Sequence, residues 1–142
     1  MSELSALDML EATAALYLHY RSLDLRDFDT VVSQIAPGAS IERGPGVFVI
    51  GPEGMRAAMD ARATNRSTCH IVMAPIARAL PDGHVEIRYI LPAYARIKEP
   101  GVPSTFDVDA SAFMGIVDAR DELVKHNDTW LIVDRTYQPA MR

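Results

Sequence analysis

The stretch "RSTCHIVMAPIARALPDGHVEIRYI", residues 66–90, decides how the chain is read. Its two arms are rich in β-branched and apolar residues, and Pro81-Asp82-Gly83 between them is a turn signal, so the stretch reads as an antiparallel hairpin. The second arm continues through "LPAYARI" to residue 97. Two further strands, "ASAFMGIVDARDELVKH" (110–126) and "TWLIVDRTYQ" (129–138), flank a turn at Asn127-Asp128. The intervening "KEPGVPSTFDVD" (98–109) is polar and rich in Pro and Gly, and reads as an extended loop, a candidate rim or lid.

Upstream of the hairpin the texture is helical. Residues 3–23 read as an amphipathic helix on whose wheel Leu10, Thr13, Leu16, Tyr17, Tyr20 and Asp24 share one arc, with Glu11, Leu18 and Ser22 largely opposite. "DFDTVVSQIAP" predicts a second short helix that starts at an Asp27 cap and stops before Pro37. "ASIERG" predicts a short strand, "GPG" at 44–46 a turn, and "GPEGMRAAMDARAT" a third helix with Pro52 in its first turn. Helices followed by meandering strands make an α+β domain. A sheet bent around the helices buries their apolar faces and leaves room for a cavity. An aspartate inside the core-facing arc of the first helix then calls for a partner.

Size and composition bound the function. With 142 residues the chain is read as one domain, 1–142, able to bury a core without disulfides or metal. Its 49% hydrophobic and 23% charged residues suit a globular protein, and no apolar run approaches the ~20 residues of a membrane span. The N-terminus lacks the layout of a signal peptide, so a cytoplasmic location is expected. A net charge of −5 without a block of Lys or Arg argues against nucleic acid and for a small-molecule protein. The histidines at 19, 70, 84 and 126 form no local metal motif, and neither metal nor cofactor is expected.

Cys69 and His70 are adjacent, which raises the question of a thiol nucleophile and its base. Successive side chains on a strand point to opposite faces, so these two do not meet, and the residues two away from Cys69, Ser67 and Ile71, offer no cation. Cys69 therefore reads as a small buried residue. His70 shares its face with Thr68, Val72 and Ala74 if pairing is regular through Met73, uncharged and mostly apolar surroundings that taken alone favour a structural histidine over a catalytic one.

The order "YRSLDLRDFDTVVSQIAP", "VFVIGPEGMRAAMDAR", "RSTCHIVMAPIARALPDGHVEIRYI", "DARDELVKHNDTWLIVDR" resembles the SnoaL-like branch of the NTF2-like superfamily over residues 8–137. The resemblance implies a cone-shaped barrel: three helices packed in a strongly curved antiparallel sheet around a deep apolar pocket, usually in a homodimer. Within the superfamily the chain is most similar to scytalone dehydratase and the bile-acid dehydratases. Their acidic residue near the end of the first helix matches Asp24, and their histidine on the strand after the third helix matches His70. The resemblance thus implies an Asp24–His70 dyad in which Asp24 orients the imidazole and raises its basicity, and His70 is the general acid/base. Scytalone dehydratase carries a second histidine on a later strand, where this chain reads "SAFMGIV". Tyr17 and Tyr20, on the Asp24 arc, are candidates to replace it as hydrogen-bond donors, and Tyr89 and Met114 are further candidate pocket-lining residues. Ketosteroid isomerase takes its proton with an aspartate whose position holds Arg43 here, which argues against that chemistry.

The expectation is a cofactor-independent lyase, a dehydratase, acting on a small hydrophobic cyclic or aromatic substrate. The same dyad suits an isomerase or an aldol-type cyclase, and the fold also serves as a non-catalytic subunit of ring-hydroxylating oxygenases. Trp130, Ile132 and Val133 read as core and dimer surface, and "DARDE" (118–122) as solvated, with Asp121 at most at a pocket rim.

Overall fold

The computed structural model describes residues 3–102 and 108–141. Helix α1 (Ala6–Asp24) and helix α2 (Phe28–Ser33) lead into strands β1 (Ile35–Gly44) and β2 (Val47–Ile50) and helix α3 (Gly51–Asp60). Strands β3 (Arg66–His70), β4 (Met73–Ala79), β5 (Val85–Ile97), β6 (Phe113–His126) and β7 (Thr129–Met141) follow, with a 3₁₀ turn at Ala110–Ala112 before β6. The strands form one strongly curled half-barrel sheet in the order β2-β1-β7-β6-β5-β3, with β4 also on β5. The α+β class is as expected, but the sheet is mixed rather than wholly antiparallel. β1 runs parallel to β7, Ser40 opposite Asp134, because the chain reaches β1 from α2 and slots it beside the last strand.

Local chemistry accounts for the helix ends. Ser5 and Asp8 form a reciprocal capping box at the start of α1, and the Asp27 side chain accepts the Thr30 amide at 3.3 Å at the start of α2. Asn127 and Asp128 both take positive φ, 48° and 61°, which gives the β6–β7 hairpin a tight turn whose twist matches the strands. The predicted arc of α1 is rotated: Leu10 is 66% exposed, whereas Ala12, Leu16, His19 and Tyr20 are buried. Leucines at 7, 10, 16, 18 and 23 leave no side of this helix clearly polar, so the wheel alone does not select the packed face. The core joins Leu16 and Tyr20 of α1 and Met55 and Met59 of α3 to Ile41, Ile87, Leu123 and Ile132 on the concave side of the sheet.

Bulges supply the curl. Ala93 pairs with Gly115 and Tyr94 with Phe113, so Met114 is an extra residue that bends β6. Between β4 and β5 the register holds from His70 opposite Ala93 to Met73 opposite Ile90, then slips by one before Ile76 opposite Arg88. Ala74 lies in that slip with φ 50°, so the regular alternation expected of the His70 face stops at Met73. Of the expected loop at 98–109, residues 103–107 lie outside the described residues.

The segment "DARDE" is not simply solvated. Asp121 is fully buried, because β6 alternates Ala119, Asp121 and Leu123 inward, and Arg135 stands directly opposite it on β7. The two form a bidentate pair, Nε to Oδ1 at 2.8 Å and Nη2 to Oδ2 at 2.6 Å. Burial opposes the charge on Arg135, but Asp121 together with the phenols of Tyr20, Tyr89 and Tyr137 outweighs it and holds the guanidinium well above its ordinary pKa. Removing one partner strands a buried charge. Asp121→Ala is therefore expected to lose about 3–5 kcal/mol in urea unfolding. Asp134→Ala, whose half-exposed carboxylate meets Arg120 at 3.5 Å, should lose about 1 kcal/mol or less.

Candidate active site

Asp24 is the last residue of α1 and is buried, a position where both desolvation and the negative end of the helix dipole disfavour a carboxylate. β3 supplies its partners. Oδ2 accepts the His70 backbone amide at 2.8 Å, and Oδ1 accepts the Thr68 hydroxyl at 2.9 Å and meets His70 Nδ1 at 2.7 Å. An ionised carboxylate only accepts, so Nδ1 carries the hydrogen and Nε2 of the neutral ring keeps its lone pair. Among the described residues Nε2 makes no hydrogen bond. Thr68 accepts in turn from Arg62 Nη2 at 3.1 Å. Asp24 and His70 are thus brought together, with Thr68 as a support the sequence placed on the right face without assigning it a role.

His70 lines two connected spaces. The larger, about 220 Å³, has apolar walls from Leu91, Ala93, Met114, Ile116, Val117 and Pro139. The smaller, about 60 Å³, is a polar recess under α1 and α3 lined by His19, Tyr20, Glu42, Arg62 and Thr68. Arg43, Arg66, His70 and Tyr137 line both. A third, more open cleft of about 360 Å³ against α1 also reaches Asp24 and His70, and Tyr17 lies there, 45% exposed.

The candidate binding residues divide accordingly. Met114 lines the apolar chamber, placed there by its bulge. Tyr89 lines neither space and is fully buried. Tyr20 borders the recess, but its hydroxyl is not available as a donor. Tyr89 donates its one hydroxyl hydrogen to Asp121 at 2.8 Å, so in the 2.7 Å Tyr20–Tyr89 contact Tyr20 must donate. The 2.7 Å Tyr137–Tyr20 contact then takes the hydrogen of Tyr137. The chain of donation runs Tyr137 to Tyr20 to Tyr89 to Asp121, which contradicts the expectation that Tyr20 donates to a ligand. Burial raises the pKa of all three phenols.

His19, another resident of the recess, is held neutral: burial and the neighbouring Arg135 push its pKa well below the ordinary value, and its Nε2 accepts from Arg135 Nη1 at 3.2 Å. Among the described residues one group offers three potential metal ligands, Asp82, His84 and Glu122, and none of these lines the cavity.

The SnoaL-like domain family matches residues 5–136, nearly the full chain. The protein belongs to the SnoaL-like family. No curated protein sequence matches it. Solved structures with the same fold include Aln2 from a Streptomyces species, with 17% identity over 97% of this chain and 94% of that one and a TM-score of 0.74. A candidate scytalone dehydratase from Novosphingobium aromaticivorans has 14% identity over 95% and 85% of the two chains, with a TM-score of 0.74. A candidate aromatic ring hydroxylase from the same organism has 15% identity over 99% and 94%, with a TM-score of 0.70.

Cys69 lines none of the spaces that His70 lines, and burial followed by the Asp24 charge raises its pKa, so the thiolate needed for nucleophilic attack is disfavoured. Cys69→Ser is expected to keep its turnover within about twofold while losing on the order of 1 kcal/mol of stability, checked by kinetics and thermal melting.

Proposed function

We propose that this SnoaL-like protein is a cofactor-independent dehydratase for a small hydrophobic cyclic or aromatic compound, with His70 as general acid/base and Asp24 as the residue that positions it. The observation that carries the reading is the grip of Asp24 on His70 at two points, ring Nδ1 and backbone amide, beside a partly open apolar chamber. Family membership and the likeness to a candidate scytalone dehydratase support it.

In the proposed reaction Nε2 of His70 removes a proton from the carbon next to a carbonyl. The electron pair of that C–H bond forms the new C=C bond as the C–O bond of the β-hydroxyl breaks, and the proton held on Nε2 passes to the departing oxygen, which leaves as water. Asp24 keeps the ring in one tautomer and favours the positive charge that develops on it. A substrate ring packed against the apolar walls displaces water from around the reacting carbon. Since Tyr20 has no hydrogen to offer and His19 is tied to Arg135, one histidine both takes and returns the proton. The proposal includes a homodimer and a cytoplasmic location. Among the described residues no helix is long and apolar enough to cross a membrane.

A panel of one- and two-ring β-hydroxy ketones, followed by the absorbance of the conjugated enone, tests the activity. His70→Ala is expected to fold and melt like the parent and to lose on the order of 10²–10⁴-fold in turnover, and Asp24→Asn less. A folded His70→Ala protein with full specific activity would defeat the mechanism.

A further inference from the structure

Three guanidinium groups from three different elements converge on the space beside His70. Arg43 comes from β1, Arg62 from the turn after α3 and Arg66 from the start of β3. Among the described residues, the carboxylate oxygens at the edges of the recess already accept hydrogen bonds. Glu42 accepts the Gly46 amide and the Tyr137 amide, each at 3.1 Å, and Asp24 holds His70 and Thr68. Asp121 is matched to Arg135. Among the described residues neither Arg43 nor Arg62 forms an ion pair, and Arg62 Nε is buried without a partner. Burial lowers the pKa of Arg62 to about 10, with Arg66, Arg26 and Arg43 acting in the same direction and Asp24 only weakly against them. Arg43 is lowered by burial and then by Arg66. An unpartnered guanidinium N–H in a partly desolvated recess, with the Arg43 guanidinium close to it and without an ion pair among the described residues, calls for an acceptor.

The two spaces differ in what they admit. The recess, about 60 Å³, has room for about two water-sized groups and is too small for a ring. The chamber, about 220 Å³ and mostly apolar, has room for one or two fused rings. Arg43 and Arg66 stand where the two join, beside His70.

We propose that the recess is an anion site and that the substrate is an aromatic or cyclic carboxylate, its ring in the apolar chamber and its carboxylate among Arg43, Arg62 and Arg66. Calling this ligand the substrate rests on the reading of His70 as the proton-transferring group; the anion site itself does not. Two carboxylate oxygens match the size of the recess, and guanidinium groups offer them paired donors. The site thereby also selects the orientation of the ring, since the apolar walls alone do not fix which carbon faces His70.

Calorimetric binding of 2-naphthoate and of its neutral isostere 2-naphthamide tests this without turnover. The expected result is that the protein binds 2-naphthoate at least about tenfold more tightly than 2-naphthamide. Arg43→Gln is expected to remove about tenfold of the naphthoate affinity, and the Arg43→Gln/Arg62→Gln double variant the whole preference, while the amide is unaffected. Arg43→Gln should melt no lower than the parent, because it relieves repulsion from Arg66, whereas the double variant also loses the Arg62–Thr68 hydrogen bond and is expected to melt slightly lower while staying folded. Naphthoate that fails to bind at millimolar concentration, an amide that binds as well as the acid, or a preference that survives in the double variant would overturn the anion site. A 2-naphthyl phosphate that binds more tightly than 2-naphthoate would overturn the assignment to a carboxylate. His70→Ala should keep the preference. A His70→Ala protein that retains turnover would therefore sink the dehydratase mechanism and leave the anion site standing, whereas loss of the preference with His70 still essential would do the reverse.

Discussion

A carboxylate at the C-terminal end of a buried helix is disfavoured by desolvation and by the helix dipole, and in this protein the Asp24 side chain sits there only because β3 comes to meet it. The Thr68 hydroxyl, the His70 amide and the His70 ring converge on its two oxygens. That interaction fixes the end of α1 against the sheet and at the same time fixes the imidazole. The packing of the helix and the orientation of the candidate base are one event, which is why a residue that a core would ordinarily exclude is tolerated at this place.

A second buried charge system holds the opposite wall. Asp121 and Arg135 face each other across β6 and β7, and the hydroxyls of Tyr89, Tyr20 and Tyr137 feed hydrogens toward Asp121 in a single direction. This order has a functional consequence, because it uses up the donors of three tyrosines that would otherwise point to an oxyanion-binding role. With the phenols committed, the side-chain donors on the cavity wall among the described residues include the guanidinium groups of Arg43 and Arg62. The cavity therefore divides into apolar walls from β5, β6 and β7 and a cationic recess from β1, β3 and the end of α3, with His70 at the boundary.

Much of the fold was legible in the sequence. Apolar and β-branched alternation marked the strands, and Pro81-Asp82-Gly83 and Asn127-Asp128 marked the turns, because these signals are local and their physics does not depend on the rest of the chain. The Asp24–His70 pairing was reached through a family resemblance and not through spacing. What the sequence did not reveal depends on residues far apart. The packed face of α1 was misjudged because leucines occupy its several sides. Asp121 looked solvated because its partner lies 14 residues away across a hairpin. The arginines 43, 62 and 66 are ordinary one by one and meet only after the sheet has curled and α3 has folded over it. The parallel pairing of β1 with β7 likewise carries no local signal.

The position of the hydrogen on the His70 ring is read most directly from long-range proton–nitrogen correlations in the NMR spectrum of the folded protein with the imidazole neutral. The account predicts a neutral imidazole with its hydrogen on Nδ1, held by Asp24, and a bare Nε2 able to take a proton. A ring with the hydrogen on Nε2, or one exchanging freely between the two forms, would contradict it.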